Sequence, residues 1–243
     1  MKSLAAAVSF LTRIPVGRFV SCGAADVARS SGWFPLVGLA IGAMGAGAAF
    51  LLRGHLPLPV VAVILLALDA LLTGALHFDG LADTADGFGG GKDREDVLRI
   101  MRDHAIGSYG AMALALLALF KAAAYSALLA GDRWLAAITL APAVGRWSIL
   151  LLTAALPYAR PTASVVRGIG KISLVWGTLI LAAAVAAPRL WCAAAAAIAA
   201  IAVSALFGFY CRRKIGGITG DTLGANVELC ECAALVAFLW SAR

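Results

Sequence analysis

Residues 108–130 read Ser108-Tyr-Gly-Ala-Met-Ala-Leu-Ala-Leu-Leu-Ala-Leu-Phe-Lys121-Ala-Ala-Ala-Tyr125-Ser-Ala-Leu-Leu-Ala130, with one charged side chain in 23 positions. A helix that crosses the hydrocarbon core of a bilayer needs about 20 mostly apolar residues, and this run supplies them. Six further runs have the same character: 33–52, 58–77, 134–156, 172–187, 190–210 and 222–240. Seven crossings are therefore expected. The stretch 172–187 is short and 222–240 carries two carboxylates, so six is the alternative count. Gly38, Gly42 and Gly45 in the first run would let a neighbouring helix come close.

The whole chain agrees with this reading. Its 243 residues are 62% apolar and 14% charged, with mean hydropathy +0.93. Soluble domains average about 45–50% apolar and about 25% charged. An ordinary soluble fold and a disordered chain are both excluded. The expected fold is an all-α, polytopic membrane helical bundle forming a single domain over 1–243, with the lipid bilayer as its surroundings. The net charge of +7 is not a nucleic-acid signal here, because loop Lys and Arg set membrane orientation. Five cysteines without CxxC spacing read as reduced thiols. Arg13, Pro15 and Arg18 interrupt the first apolar stretch, so no signal peptide is expected.

Basic residues outside the runs fall mainly on one side. Lys2, Arg13, Arg18, Arg29, Lys92, Arg94, Arg99, Arg102, Arg160, Arg167, Lys171, Arg212, Arg213 and Lys214 alternate with only Arg53, Arg133, Arg189 and Arg243 opposite. Fourteen against four predicts a cytoplasmic N-terminus, with the acidic motifs below on that same side. Residues 93–103, with apolar Val97, Leu98, Ile100 and Met101 between arginines, read as a short interfacial helix in the second cytoplasmic loop.

The thirteen acids are concentrated. In His77-Phe-Asp79-Gly-Leu-Ala-Asp83-Thr-Ala-Asp86-Gly87 the aspartates are spaced by four and three. On a helix they fall within roughly 60° of one another and repel unless something cationic offsets them. A second group, Asp221, Glu228 and Glu231, follows Gly216-Gly217-Ile-Thr-Gly220 and enters an apolar run, where a bare carboxylate is expensive. The two groups could meet across one cavity. An oxygen-rich, cysteine-free set suits Mg²⁺ completed by substrate phosphates. The candidate metal ligands and catalytic groups are thus Asp79, Asp83, Asp86, Asp221, Glu228 and Glu231. The alternatives are a solvated helix start for the first group and an ion pathway for the second.

Candidate substrate contacts are His77, Asp103, Lys121, Arg146, Arg160, Gly217, Gly220 and Asn226. Glycine backbone approaches phosphates closely, which brings in Gly217 and Gly220. His77 stands beside the first aspartate, and Asn226 lies within the second motif. Asp103 reads equally as a ligand or as an N-terminal helix charge. Lys121 and Arg146 lie deep in spans, and Asp69 offers them a structural ion-pair partner. Arg160 reads equally as a phosphate contact or as an ordinary positive-inside residue.

These motifs resemble a known family. His77-x-Asp79-Gly-Leu-x-Asp83-x-x-Asp86-Gly87, Ile100-Met-Arg-Asp103, Tyr158-Ala-Arg160 and Gly216-Gly-x-Thr-Gly-Asp221-Thr-Leu-Gly224 are similar to the signatures of the cobalamin 5′-phosphate synthase family, the adenosylcobinamide-GDP ribazoletransferases. Phe10-Leu-Thr-Arg-Ile-Pro15 and Phe34-Pro-Leu-x-Gly38 match as well. The pair His104-Ala105 departs from the family, which usually has Ser or Pro followed by Arg. The resemblance implies a Mg²⁺-dependent enzyme of the bacterial or archaeal cytoplasmic membrane. Such an enzyme joins adenosylcobinamide-GDP to α-ribazole or α-ribazole 5′-phosphate and releases GMP, a late step of cobalamin biosynthesis. It leaves homo-oligomerisation open. A CDP-alcohol phosphotransferase is the nearest rival, but its Ala-Arg pair after the first Asp-Gly is replaced here by Leu81-Ala82-Asp83. A cation or proton transporter using the same acids is a more distant one.

Overall fold

The structure, a computed structural model, describes residues 2–18, 23–160, 168–186 and 190–240. Cys22, Arg167, Arg189 and Arg243 lie outside the described residues. The described residues form α1 (Lys2–Leu11), α2 (Ala24–Ser30), α3 (Phe34–Leu52), α4 (Leu58–Thr73), α5 (Leu76–Gly90), α6 (Arg94–Ile100), α7 (Ser108–Leu129), α8 (Trp134–Ala155), α9 (Lys171–Val185), α10 (Leu190–Ile215) and α11 (Gly220–Trp240). No strand is present among them; one parallel bridge joins Tyr158 to Ile218. The fold is an all-helical membrane bundle. Cys192, Cys211, Cys230 and Cys232 are free thiols, as their spacing predicts.

Among the described residues five helical stretches are long and apolar enough to cross a membrane: Ala24–Leu52, Ser108–Leu129, Trp134–Ala155, Trp191–Ile215 and Gly220–Trp240. The expected run 58–77 is broken. It ends in α4, and α5 leaves at 92°, so a sixth crossing exists only if the bent pair is counted as one. Helix α9 has 15 residues, too few by this measure. Among the described residues, length and apolarity thus give five crossings, or the alternative six when the bent pair is counted as one.

The break has a local cause. Gly74 (φ 63°) caps α4 in the left-handed region, and Ala75 (φ 57°) follows it there. Glycine takes that conformation freely, whereas alanine is held there at a cost of about 1–2 kcal/mol. The backbone N–H of Arg13 donates to the Leu72 carbonyl (2.7 Å), tying the chain end before α2 to the break. The result is that α5 packs across α11 and α7.

Helix α8 is the hub, buried almost continuously from Ala137 to Leu150. It crosses α3 at Gly38 and Gly42, where an added Cβ would collide with backbone of Pro142–Ala143 and Ile138–Thr139. Without a hydrophobic force separating helix from lipid, such close van der Waals approach is what holds two membrane helices together. Helix α6 begins where the Asp93 carboxylate accepts from the Asp96 N–H (2.9 Å). Val97 and the following Met101 are buried with Phe88, Ala159, Cys211 and Ile215, while Leu98 and Ile100 are half-buried. At this end of the bundle α5, α6, the start of α7, residues 157–160, the end of α10 and the start of α11 gather.

Gly42→Val should lower stability in detergent by about 1–3 kcal/mol, because its new methyls meet α8 backbone that cannot swing aside. An unchanged Tm would contradict the close crossing.

Candidate active site

Two helices bring carboxylates together at the gathered end. Gly80 of α5 lies directly on the backbone of Asp221 and Gly224 of α11. Asp79 and Asp83 flank that contact from α5, exposed and half-buried respectively, and Asp221 enters from the first turn of α11. The charges of Asp79, Asp221 and Asp86 all act on Asp83, with Arg160 opposing them. Three further carboxylates act on Asp83 against one guanidinium, which leaves this site short of positive charge.

The start of α11 is fixed by reciprocal threonine contacts. The Thr222 N–H donates to Thr219 Oγ1 (3.2 Å), and the Thr219 N–H donates to Thr222 Oγ1 (2.8 Å). This satisfies helix-end donors much as a capping box does. Asp221 then accepts from Arg160 Nη2 (2.9 Å) and Thr219 Oγ1 (3.3 Å). Arg160 comes from residues 157–160, which pair with Ile218: the Ile218 N–H donates to Pro157 O (2.9 Å) and the Ala159 N–H to Ile218 O (2.8 Å). Arg94 of α6 holds the same segment, donating from Nε to Ile215 O and from Nη2 to Ala159 O (both 2.8 Å).

A cavity of about 280 Å³ opens beside this cluster. Asp79, Asp221 and His77 are on its wall with Gly80, Gly220 and Gly224, and the remainder of the lining is apolar. A concave, largely apolar pocket with a few convergent polar groups is the usual form of a small-molecule site.

A family model described as cobalamin-5-phosphate synthase matches residues 3–239. The chain belongs to that family. The chain is 41% identical to an adenosylcobinamide-GDP ribazoletransferase of Rhizobium etli, over 96% of this chain and 94% of that protein. It is 40% identical to one of Klebsiella pneumoniae, over 98% of this chain and all of that protein, and 38% identical to one of Clostridium botulinum, over 96% and 95%. No solved structure matches. The chain is thus a transferase of cobalamin synthesis, carried on a multi-pass membrane bundle.

For this family member, the structure separates the candidate residues into groups. Asp79, Asp83, Asp221, Arg160, His77 and Gly220 are brought to the site. Asp86 is buried and already engaged: its carboxylate accepts from the N–H groups of Gly107 (2.7 Å) and Gly110 (2.8 Å), anchoring the start of α7. Asp103 is exposed and closes its own turn by accepting from the Ala105 N–H (3.1 Å). Gly217 packs against the Pro157 carbonyl, so its small size serves the Tyr158–Ile218 pairing rather than a phosphate. Asn226 is fully buried and donates to Ser148 Oγ (2.9 Å) and Ser204 Oγ (3.0 Å), joining α8, α10 and α11.

Glu228, Glu231, Lys121 and Arg146 stand apart from the site, against the expectation that the second acidic group would line the metal chamber. Glu228 is seven residues beyond Asp221, about 10 Å further along α11. All four side chains are fully buried. Lys121 Nζ lies 2.5 Å from Glu228, 2.7 Å from Glu231 and 3.7 Å from Asp69. Arg146 pairs with Glu231 and lies 3.4 Å from Asp69. The oxygens of Asp69, Glu228 and Glu231 have metal-ligand spacing, but the Lys121 ammonium fills the space among them. The contacts of Arg94, Thr219 and Thr222 went unread in the sequence. The two threonines carried a capping signal in their three-residue spacing; Arg94 looked like any loop arginine.

Lys121→Met strands three buried carboxylates against one cation and should cost about 3–5 kcal/mol. Adding Glu228→Gln should recover part of that loss, read as a higher Tm in detergent than the single variant. Strictly additive losses would refute the coupling.

Proposed function

We propose that the chain joins adenosylcobinamide-GDP to α-ribazole, or to α-ribazole 5′-phosphate, giving adenosylcobalamin or its 5′-phosphate plus GMP. The observation that carries this reading is the convergence of Asp79, Asp83, Asp221 and Arg160 from three segments beside a small-molecule cavity, in a chain whose relatives bear that enzyme name.

A ribose hydroxyl attacks the phosphorus joined to the cobinamide side of the pyrophosphate. The bond from that phosphorus to the bridging oxygen breaks, and its electron pair leaves with GMP. Asp83, half-buried among the other carboxylates, accepts the hydroxyl proton. Asp86 and Glu231 are committed to other partners, which favours Asp83 for this role. Arg160, paired with Asp221, meets the phosphates beside it. Phosphoryl transfer depends chiefly on this kind of positioning and charge placement.

The donor pair of Asp79 and Asp221 fits Mg²⁺, being all oxygen and carrying more negative charge than Arg160 offsets, and it leaves Asp83 as the base beside it. When bound, Mg²⁺ neutralises charge on the phosphate oxygens and stabilises the leaving group.

The chain acts as one transferase domain over 1–243 in the bacterial inner membrane, with the N-terminus and active site in the cytoplasm. The support is the excess of Lys and Arg at the gathered end, including Lys92, Arg94, Arg99, Arg102 and the Arg212-Arg213-Lys214 run that ends α10.

In detergent or nanodiscs, Asp79→Asn and Asp221→Asn should each lower Mg²⁺-dependent GMP release by about 100-fold or more with Tm retained. Chelation should abolish the wild-type rate, and Mg²⁺ should restore it. Near-wild-type turnover in either variant overturns the assignment. In inverted vesicles, Arg99→Cys should react with an impermeant maleimide while Gly54→Cys should not. The reverse pattern overturns the orientation.

A further inference from the structure

We infer that the apolar chamber beside Asp79 and Asp221 holds the aromatic base of the ribazole substrate, and that the corrinoid substrate with its GDP group stays outside it. The inference rests on the function proposed above and assigns one half of the reaction to one place.

Size decides the first part. A chamber of about 280 Å³ admits a fused bicyclic base but not a corrin macrocycle bearing a nucleotide. Its lining decides the second. Phe34, Ile149, Ile169 and Leu223 make walls without hydrogen-bonding side chains, and polar groups occur only where the chamber meets the acidic cluster. A guanine placed here would lose water from its amino and carbonyl edge with nothing to replace it. A benzimidazole has no such edge. Its one unsubstituted ring nitrogen needs a single partner, and that falls to His77 on the chamber wall: its Nδ1 is buried without a hydrogen-bond partner among the described residues, and a turn of the ring toward the chamber brings it to the ligand. In the Nδ1–H tautomer it donates to that nitrogen.

The same placement orients the reaction. Gly80 and Gly224, where α5 and α11 touch, lie on the wall between the base pocket and the aspartates. A base seated in the chamber therefore leaves its ribose at Asp79 and Asp221, with the attacking hydroxyl toward the open side. The phosphates arrive from that side, where Arg160 stands. An exposed charge cluster alone would select any phosphate ester; the apolar chamber selects the nucleophile.

The test separates the substrates. In wild-type protein in nanodiscs, α-ribazole should bind by calorimetry at least tenfold more tightly than adenosine or guanosine. Leu223→Trp, which fills the chamber, should raise KM for α-ribazole tenfold or more and leave KM for adenosylcobinamide-GDP within twofold. Leu76→Trp fills it from a partly exposed position that tolerates bulk, and should do the same if the first variant folds poorly. His77→Phe should weaken α-ribazole binding with little change in donor KM. Equal binding of adenosine and α-ribazole, or variants that raise the donor KM instead, overturns the inference. If wild-type protein releases no GMP from the two substrates, the proposed function fails. The calorimetric ranking of the nucleosides still decides the chamber.

Discussion

Moving a carboxylate from water into the apolar interior of a bundle costs several kcal/mol unless a cation meets it there. Helix α11 carries two, Glu228 and Glu231, with no exposure at all. Lys121 of α7 and Arg146 of α8 meet them, and Asp69 of α4 completes the group. The penalty for separating these charges ties four helices into one register. Lys121 also lies 5.1 Å from the ring of Phe78, one residue before Asp79, so the network touches the helix that carries the other acids. The depth at which α11 sits fixes where Asp221 emerges, and hence whether it can meet Asp79.

The acids of this chain therefore answer two different demands. Those inside the bundle, Asp69, Glu228 and Glu231, are held by the protein's own Lys121 and Arg146, which ties the helices together. Those at its end, Asp79, Asp83 and Asp221, share Arg160 among them and retain an excess of negative charge. Asp86 belongs in sequence to the second kind and in structure to the first, because the N–H groups of Gly107 and Gly110 occupy its oxygens. A helix start has unsatisfied N–H groups that favour a carboxylate. This anchoring by Asp86 is what draws α7 up to α5.

The turn at Gly74 and Ala75 is equally consequential. If α5 continued α4, its aspartates would lie along a membrane span, each needing its own cation. Turned by 92° it runs across the end of the bundle, with one side against α11 and α7 and the exposed Asp79 toward water. The left-handed conformation of Ala75 is the local cost of that geometry, and the Gly80 contact with Asp221 and Gly224 is what it achieves.

Apolar runs, the clustering of carboxylates and the glycine-rich motifs were local signals. They determined the helical membrane class and the family, and they marked the two acidic segments in α5 and α11. Which carboxylates share a chamber was not local. Spacing places Asp221, Glu228 and Glu231 on one side of a helix, but it does not say that the last two sit a further two turns down opposite Lys121 and Arg146. Nor does a run of apolar residues disclose that 58–77 breaks at an alanine with positive φ, since alanine favours continuing the helix. Arg94 shows the same limit from the other direction: its partners are carbonyls at Ala159 and Ile215, distant in the chain and chemically silent in the sequence. Tertiary structure decided these points because charge compensation and close packing depend on what lies opposite a residue, and a single helix specifies only its own face.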